Sequence, residues 1–359
     1  MYKVFIWGTG YWGDKCFHDF LPEVDVIGFV ESNVKKNFFH GKPVIDGQEL
    51  ENYEYNYLIL ANTHEEEIIQ TYNLDMAKTF VYRQRPRPNE AKIFQYQLID
   101  QTREIMPYLS VECDGLTFLY NKTDLMIPEF MYFYQAVWSR DEMEFFWQSA
   151  PRHRTGIFMD IGANIGTTSI YFKKKFAREL SYIAFEPVKE NYKVMKANCV
   201  LNDCEDIVVE NIGVSDAEGI KGINILDVNY GGSRLTDSGN AKESCKTMRL
   251  DDYIKVNAIN PQDISYIWLD IEGHEANAIA GARELLSTSN ASLFMEYNAA
   301  EYKTNGKLED VLSDLCNIYG SFICYEQYAA GNTDIRHIDQ LAKLANEMNW
   351  QQCNVLFMK

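Results

Sequence analysis

Residues 156–172 read GIFMDIGANIGTTSIYF, and this stretch decides the fold of the second half of the chain. An apolar run reaches Asp160, and small residues then separate it from a second apolar run. The pattern predicts a buried strand, a glycine turn and a helix, as in a nucleotide-binding site. Small residues let a ligand approach the backbone, and the helix N-terminus offers free N–H groups. The residues predicted to form the turn are Gly162, Asn164 and Gly166.

A carboxylate follows the next predicted strand. Glu186 lies 20 residues after Gly166, where an acid can accept hydrogen bonds from both ribose hydroxyls. An acid beside the turn, Asp160, would repel the diphosphate of NAD but attract the sulfonium and ammonium groups of S-adenosylmethionine. The two acids therefore favour S-adenosylmethionine as the cofactor. The alternative, in which Asp160 only caps the following helix, explains that acid but not Glu186.

Five motifs in order carry a family resemblance: MDIGANIGTTSIYF, AFEP, NIGVSD, TMRLDDYI and LDIEGHEANAIAGARELL. Together they resemble the FkbM-type S-adenosylmethionine-dependent methyltransferases, over residues 108–359. The resemblance implies an α/β fold of the class I methyltransferase type, Rossmann-like, with a seven-stranded sheet, helices on both faces and a final antiparallel strand. It also implies O-methylation, often of sugars or polyketide-type hydroxyls.

The resemblance further implies roles for individual residues. The implied cofactor contacts are Asp160, Gly162, Asn164 and Gly166 at the methionine end, Glu186 at the ribose, and Asn211 and Ser215 near the adenine. Asp270 would lie beside the sulfonium and the methyl acceptor.

The segment DIEGHE, residues 270–275, supplies candidate catalytic residues just after a predicted strand. A sugar hydroxyl is a poor nucleophile until its proton is leaving, so a positioned base accelerates transfer. We predict Asp270, Glu272 and His274 as the catalytic residues, with His274 as the base because imidazole titrates near neutrality. The alternatives are a helix-cap histidine and glutamates at 272 and 275 that stabilise the start of the next helix.

A magnesium ion is a second way to activate the acceptor. Asp270, Glu296 and Asn298 end neighbouring predicted strands, and their oxygen atoms suit this metal. Acids and amides are common at strand ends without metals, so we predict no metal site and keep magnesium as an alternative.

The segment NYGGSRL, residues 229–235, contains two further candidate residues. Its paired glycines allow an unusual backbone path, and we predict that Ser233 and Arg234 contact the acceptor. Arg234 can bind a phosphate or carboxylate with two parallel hydrogen bonds. A plain surface loop is the alternative.

A second glycine run, IWGTGYWG, occupies residues 6–13. Gly8, Gly10 and Gly13 match G-x-G-x-x-G, and Glu31 follows 18 residues later at the ribose position. Alternating strands and helices predict a smaller doubly wound Rossmann-like domain, which resembles small domains attached to sugar-modifying enzymes. We predict that it binds the substrate as a nucleotide-sugar. The alternative is a degenerate unit that serves packing or dimerisation.

These patterns divide the chain into three parts. Residues 1–82 form the small domain, residues 83–107 a linker with a helix, and residues 108–359 the methyltransferase domain. The predicted function is S-adenosylmethionine-dependent O-methylation of a sugar, nucleotide-sugar, related glycan or secondary metabolite. Two alternatives stay open: an NAD-dependent sugar-nucleotide dehydrogenase or epimerase, and a non-catalytic nucleotide-binding protein.

The composition of the chain limits the classes of binding partner and the cellular compartment that we expect. The 359 residues carry 34 Lys and Arg against 52 Asp and Glu, a net charge of -18, which disfavours nucleic acid and anionic lipid. The eight cysteines include no C-x-x-C pair and are typical of reduced cytoplasmic thiols. The sequence starts without signal-peptide features and has no apolar run that spans a membrane. We therefore expect a cytoplasmic enzyme with a small-molecule or glycan substrate, and we leave homo-oligomer formation open.

Overall fold

The computed structural model describes residues 2–18, 24–62, 65–72, 74–75, 78–81, 108–121, 124, 126–226, 229–236, 241 and 243–359. The chain divides into two compact units, Met1–Pro107 and Tyr108–Lys359. The predicted linker and helix at 83–107 lie outside the described residues, as does the predicted end of the small domain at residue 82. Those boundaries stay a prediction.

The first unit is built on a mostly parallel sheet. Its strands are β1 (Tyr2–Trp7), β2 (Val24–Glu31), β3 (Phe38–Phe39), β4 (Lys42–Asp46), β5 (Tyr57–Leu60) and β6 (Thr79–Val81). Their order is β3-β4-β2-β1-β5-β6, and β3 pairs with β4 antiparallel. Helices Tyr11–His18 and Glu65–Tyr72 pack on opposite faces, with a 3-10 helix at Gly47–Asn52. The carboxyl ends of β1, β2 and β5 therefore meet at one edge.

The second unit contains more strands. They are β7 (Tyr108–Cys113), β8 (Leu116–Asn121), β9 (Ile157–Ile161), β10 (Ser181–Phe185), β11 (Val208–Glu210), β12 (Gly213–Val214), β13 (Gly219–Asn224), β14 (Arg234–Thr236), β15 (Glu243–Met248), β16 (Ile264–Leu269), β17 (Ser292–Tyr297), β18 (Ser321–Cys324), β19 (Arg336–His337) and β20 (Cys353–Met358). The large sheet has the order β11-β10-β9-β16-β17-β20-β18-β19. A smaller sheet, β12-β15-β13-β14, forms from the segment between β11 and β16.

The large sheet has eight strands, one more than the family resemblance implies. The additional strand is β19, whose two residues pair antiparallel with Ser321 and Phe322 of β18. The predicted final antiparallel strand is present as β20, which lies between β17 and β18 and is antiparallel to both. The other six strands run parallel, so their carboxyl ends meet at one edge.

Helices cover both faces of the large sheet, as expected for an α/β fold. On one side lie Met126–Tyr134, Arg140–Ser149, Thr167–Lys175 and Lys189–Leu201, and on the other Leu250–Val256, Glu275–Ala280, Arg283–Thr288, Leu308–Ile318 and Leu341–Glu347. Shorter helices are Ala299–Thr304 and Tyr325–Ala329, with 3-10 helices at Tyr230–Gly232, Pro261–Asp263 and Ile338–Gln340. Among the described residues, none of these helices has both the length and the hydropathy to cross a membrane.

A β-hairpin precedes this sheet, formed by β7 and β8. Its turn residues Asp114 and Gly115 have φ values of +50° and +71°. Two successive positive φ values are typical of the tight hairpin turn that an Asp-Gly pair favours. Asn198 and Asn202 of a neighbouring helix bond to the backbone of β8, which holds the hairpin against the unit.

Candidate functional site

Two neighbouring clefts lie at the carboxyl edge of the large sheet, where β9, β10 and β16 end side by side. The first cleft has a volume of about 530 Å³ and the second about 640 Å³. Five residues line both clefts: Gly162, Asn164, Gly231, Asp270 and Glu272. Open α/β sheets bind their ligands at this edge. The two clefts are therefore adjoining halves of one candidate site.

The turn after β9 requires residues that accept a left-handed backbone. Gly162 has φ +92° and Asn164 has φ +49°. A Cβ on Gly162 would lie 1.8 Å from the carbonyl oxygen of Asp270, so only glycine fits there. Asparagine tolerates the left-handed region better than most residues, which explains why Asn164 can take a position that is often glycine.

Glu186 lies at the end of β10 and lines the first cleft, with only 4% of its surface exposed. Its two carboxylate oxygens accept the N–H groups of Val188 and Asn164, each at 2.8 Å. Further lone pairs stay available to a ligand. Burial raises the pKa of Glu186 to about 8, although the two N–H donors act to lower it. Hydroxyl groups of a ligand would stabilise the charged form further.

Asp160 lines neither cleft, because it is 1% exposed behind the turn. Its Oδ2 accepts the N–H and the hydroxyl of Ser169 at 3.1 and 2.5 Å, so this acid does cap the helix Thr167–Lys175. Its Oδ1 is buried without a hydrogen-bond partner among the described residues. Burial raises the pKa of Asp160 to about 6. One oxygen therefore serves the helix, and the other stays unsatisfied close to the turn.

Two more buried oxygens near this turn have no hydrogen-bond partner within the described ranges: Asn164 Oδ1 and Ser233 Oγ. Both residues line the first cleft. Buried polar atoms are nearly always hydrogen-bonded in folded proteins. Together with Asp160 Oδ1, they fit a ligand that carries several N–H and O–H donors, as S-adenosylmethionine does through its ammonium group and ribose.

Asp270 and Glu272 stand where the two clefts join. The pKa of Asp270 lies well above its ordinary value, first because the group is desolvated and then because Glu272 and Glu296 are nearby. Burial also raises the pKa of Glu272, and burial with the neighbouring Glu272 raises the pKa of Glu296 to about 7. This edge of the sheet therefore holds several carboxyl groups whose pKa values lie above their ordinary range.

Glu275 shapes the loop that presents these acids. It is completely buried, and its Oε1 accepts the N–H groups of Ile271 and Gly273 at 3.1 and 3.2 Å. The loop between them places Glu272 at φ +55°. Glu275 is thus a positioning residue, which holds the unusual backbone that directs Glu272 into the clefts.

Arg234, which the sequence predicts to contact the acceptor, lies beside two acids. Its guanidinium lies 3.8 Å from a carboxylate oxygen of Glu272 and 3.6 Å from one of Glu301. Arg234 lines neither cleft, whereas its neighbour Ser233 lines the first. The positive charge of Arg234 thus already faces two acids, and its contact with the acceptor stays a prediction.

His274, Ser215 and Asn211 lie outside both clefts. His274 is the N-cap residue of the helix Glu275–Ala280, and its Nε2 lies 2.9 Å from Ser215 Oγ. Asn211 donates hydrogen bonds to the carbonyl oxygens of Glu186 and Pro187, at 2.8 and 3.0 Å. Gly166 is also absent from the lining. The neighbours that do line the first cleft in this region are Ile212, Gly213 and Val214.

The magnesium alternative receives no support from the residues named for it. Asn298 Oδ1 accepts the N–H of Glu301 and thereby caps the helix Ala299–Thr304. Its Nδ2 donates to Glu301 and Gln352. Among the described His, Cys, Asp and Glu residues, neither Asp270 nor Glu296 belongs to a group of three or more whose ligand atoms lie within 4.8 Å of one another.

Sequence patterns missed the second cleft. Its lining includes Ile127, Trp138, Thr167, Thr168, Asn229 and Trp268. Phe146, which belongs to the same aromatic-rich segment as Trp138, is completely buried in the core. No local signal distinguishes the aromatic residue that lines a cleft from the one that packs in the core.

The first unit has a cleft of its own, with a volume of about 1500 Å³. Gly8, Gly10 and Glu31 line it, at the carboxyl ends of β1 and β2. Glu31 Oε1 accepts the N–H and the hydroxyl of Thr9, at 2.7 and 2.6 Å. Gly13 does not line the cleft, because it packs against the backbone of Gly8.

Comparison with known proteins agrees with this geometry. The family model described as the methyltransferase FkbM domain matches residues 160–343, just over half of the chain. The chain belongs to the FkbM methyltransferase family. The predicted family, the S-adenosylmethionine-dependent methyltransferase activity and the cofactor are therefore confirmed. A second model, described as C2185-like, N-terminal, matches residues 1–78 of this FkbM chain.

More distant similarities come from solved structures. An FkbM methyltransferase from Methylobacillus flagellatus KT aligns with 14% identity over 99% of this chain and 89% of that one, with a TM-score of 0.39. A precorrin-6y C5,15-methyltransferase from Geobacter metallireducens GS-15 aligns with 9% identity over 61% of this chain and 88% of its own, with a TM-score of 0.34. M. jannaschii TYW2, solved in complex with AdoMet, aligns with 10% identity over 70% of this chain and 87% of its own, with a TM-score of 0.35. None of the curated proteins compared with the chain matches it.

Proposed function

We propose that this FkbM methyltransferase transfers a methyl group to a hydroxyl of a sugar or a related polyol. The first cleft holds the adenosyl part of the cofactor, and the second holds the acceptor. The observation that carries the proposal is the position of Asp270, a half-buried carboxyl group at the junction of the two clefts. A proton acceptor at that junction lies where donor and acceptor would meet.

The first cleft suits an adenosyl group. Glu186 accepts hydrogen bonds from the ribose hydroxyls, because its carboxylate is fixed by two backbone N–H groups and still has free lone pairs. Ile212, Val214 and Leu235 give the cleft apolar walls that suit a purine ring. The unsatisfied oxygens of Asn164 and Ser233 lie in the lining of the same cleft.

The residues at the junction supply alignment and a base. When bound, S-adenosylmethionine supplies the methyl carbon, whose bond to sulfur breaks as its bond to the acceptor oxygen forms. Asp270 takes the hydroxyl proton, because it forms no ion pair with a cation of the described residues and its raised pKa makes its carboxylate more basic. Glu272 accepts a second hydroxyl and orients the acceptor. His274 is less suited to the base role than predicted, since its ring contacts Ser215 away from both clefts.

The second cleft favours an uncharged or amino-bearing acceptor. Trp138 and Trp268 contribute aromatic side chains to the lining of this cleft, and aromatic side chains suit the apolar C–H side of a sugar ring. Asp270 and Glu272 accept hydrogen bonds from hydroxyl or ammonium groups. Anionic groups are disfavoured, because Arg234 already pairs with two carboxylates. A nucleotide-linked sugar would therefore need to bind its diphosphate elsewhere.

The cleft of the first unit has features of a nucleotide site of its own, and this is a second, separate binding function. The position two residues before its first glycine is Ile6, where the second unit has Asp160. No acid in that position repels a phosphate, and a Cβ on Gly10 would touch nothing within 4 Å. Glu31 still has acceptor capacity for a ribose. These features support nucleoside diphosphate binding by the first unit.

The decisive experiment measures methyl transfer from labelled donor to a panel of free glycans, amino sugars and nucleotide-sugars. The Asp270→Asn variant should be slower by about 10²- to 10⁴-fold, the usual contribution of a general base. Its binding of S-adenosylhomocysteine should change little, because Asn keeps the shape. Glu179→Gln, which removes an exposed acid of the same unit, is the matched control and should behave as wild type. Full activity in Asp270→Asn would exclude Asp270 as the base.

A further inference from the structure

Three ligating side chains meet at the carboxyl edge of the large sheet, outside the two clefts. They are Cys324 at the end of β18, Glu326 in the helix Tyr325–Ala329, and Cys353 at the start of β20. The two sulfur atoms and one carboxylate oxygen all lie within 4.8 Å of one another. No other group of this kind occurs in the part of the chain that the structure describes.

The sheet register explains why the cysteines meet. β18 and β20 are antiparallel, and Cys324 pairs with Val355, two residues from Cys353. Side chains two residues apart on a strand point to the same face, so both sulfur atoms lie on one side of the sheet. Each cysteine is 2% exposed, whereas Glu326 is half-buried. The cluster is therefore sheltered by protein, and the glutamate forms its more exposed part.

The surrounding hydrogen bonds orient the glutamate. The N–H of Asn354 donates to both carboxylate oxygens of Glu326 at 3.0 Å. The thiol of Cys324 donates to Glu326 at 3.4 Å. Hydrogen-bond donors that surround a metal-binding side chain fix its orientation. The carboxylate of Glu326 keeps further lone pairs that can bind an ion.

We propose that Cys324, Glu326 and Cys353 bind one zinc ion. Zinc takes thiolates at about 2.3 Å and carboxylate oxygens at about 2.0–2.2 Å, which places tetrahedral ligands roughly 3.5–4 Å apart. The observed cluster lies within that reach after small side-chain rotations. Two thiolates with one carboxylate favour zinc over magnesium or calcium, which prefer oxygen ligands alone. Water takes the fourth position, because three protein ligands leave it open.

The ion would join β18, β20 and a short helix at the sheet edge that also carries Asp270. A structural ion therefore stabilises the folded chain, since binding free energy adds to folding free energy. This role is independent of methyl transfer, so its failure would leave the proposed activity untouched.

Cobalt(II) is the probe that tests the site. The reduced full-length chain, stripped with a chelator, should bind one Co²⁺ with a thiolate-to-cobalt charge-transfer band and the strong visible bands of tetrahedral cobalt. Zn²⁺ should displace it, as expected from the affinity order of these metals. Absence of the charge-transfer band would overturn the proposal.

Three variants locate the ion. Cys324→Ser should abolish the band, and Glu326→Gln should weaken Co²⁺ binding at least about tenfold, since even outer-shell changes cost about 10- to 100-fold. Cys316→Ser is the matched control, because Cys316 bonds to Ile338 and lies outside the cluster; its band should be unchanged. An unchanged band in Cys324→Ser would place the ion elsewhere. If a thiol count on protein purified without reductant shows that Cys324 and Cys353 form a disulfide, the proposed metal site is wrong.

Discussion

The two glycine turns of this chain have similar local patterns but different chemistry. In the first unit, Ile6 precedes Gly8 by two residues and is completely buried. In the second unit, the equivalent position before Gly162 is Asp160, a buried acid with one unsatisfied oxygen. The first turn therefore has an uncharged residue at the position where the second has an acid.

The carboxylates that follow the next strand differ as well. Glu31 is fixed by Thr9 of its own turn, beside a cleft of about 1500 Å³. Glu186 is fixed by two backbone N–H groups, one of them from Asn164, beside a cleft of about 530 Å³. The glycine spacing shapes the backbone, whereas the residue before the turn decides which ligand charge is tolerated.

The largest expected effect is a difference in cofactor affinity between substitutions of Glu186 and of Glu31, the two acids predicted to bind a ribose. Glu186→Gln should weaken S-adenosylhomocysteine binding by about 10- to 100-fold, because it removes charge-assisted hydrogen bonds and sets an amide NH₂ against a backbone N–H. Glu31→Gln should leave that affinity unchanged. Calorimetric titration of both variants measures the difference. Equal losses in the two variants would mean that the cofactor contacts both units.

A smaller effect tests the charge of Asp160. Asp160→Asn should weaken S-adenosylmethionine by about five- to tenfold at pH 8 and S-adenosylhomocysteine less, since only the former carries the sulfonium charge. Ser169→Ala is the control, because it removes a partner of the Asp160 carboxylate without removing the charge. If both ligands lose the same affinity in Asp160→Asn, the electrostatic explanation of this turn is wrong.

The pH dependence of stability should also distinguish the second unit. Burial raises the pKa of Glu186 to about 8 and that of Asp160 to about 6, from ordinary values of 4.5 and 3.8. The folded state therefore holds protons that the unfolded state has released, and stability falls as pH rises from about 5 to 8. Melting temperatures across this range measure the effect.

The slope should be reduced by S-adenosylhomocysteine, because ribose hydroxyls stabilise the charged form of Glu186. It should also be reduced in Glu186→Gln, which has no titrating group at that position. A melting temperature that stays constant between pH 5 and 8 in the free protein would contradict the raised pKa values.

The smallest expected effect on stability is that of a substitution at Gly10, in the glycine turn of the first unit. Gly10→Ala should leave the melting temperature nearly unchanged, because its Cβ meets no atom within 4 Å, yet it should weaken ADP or UDP binding. Gly13→Ala should destabilise the first unit, because its Cβ would lie 1.9 Å from the carbonyl oxygen of Gly8. Undiminished nucleotide binding in Gly10→Ala would remove that glycine from the ligand contact.

Much of the fold follows from local patterns. The strand-turn-helix signal around Gly162 locates the site edge, and the Asp-Gly pair at 114–115 forms the tight hairpin turn that this pair of residues favours. The two-residue strand β19 was missed, because a pair of residues carries no periodic signal and is recruited only by the exposed edge of β18. Local sequence is informative where backbone geometry restricts the residue type.

The candidate site was predicted only in part. Glu186 and Asp270 do line the first cleft, because strand ends in a parallel sheet share one edge. The sequence predicts that Arg234 is available to an anion. Its two carboxylate partners, Glu272 and Glu301, could not be foreseen, because they lie in distant segments that no local pattern connects with Arg234. The same reason applies to His274, whose ring contacts Ser215 across 59 positions of sequence.

The sequence by itself determined the family, the cofactor and the backbone of the turn, because glycines, one left-handed asparagine and two strand-end acids impose restrictions within a few residues. Only the tertiary structure decided which residues line the second cleft and that Cys324, Glu326 and Cys353 meet. Trp138 and Trp268 line one cleft, and Cys324 and Cys353 approach one another, through packing of segments far apart along the chain. Such contacts depend on how sheet order brings strand ends together, which no single segment specifies.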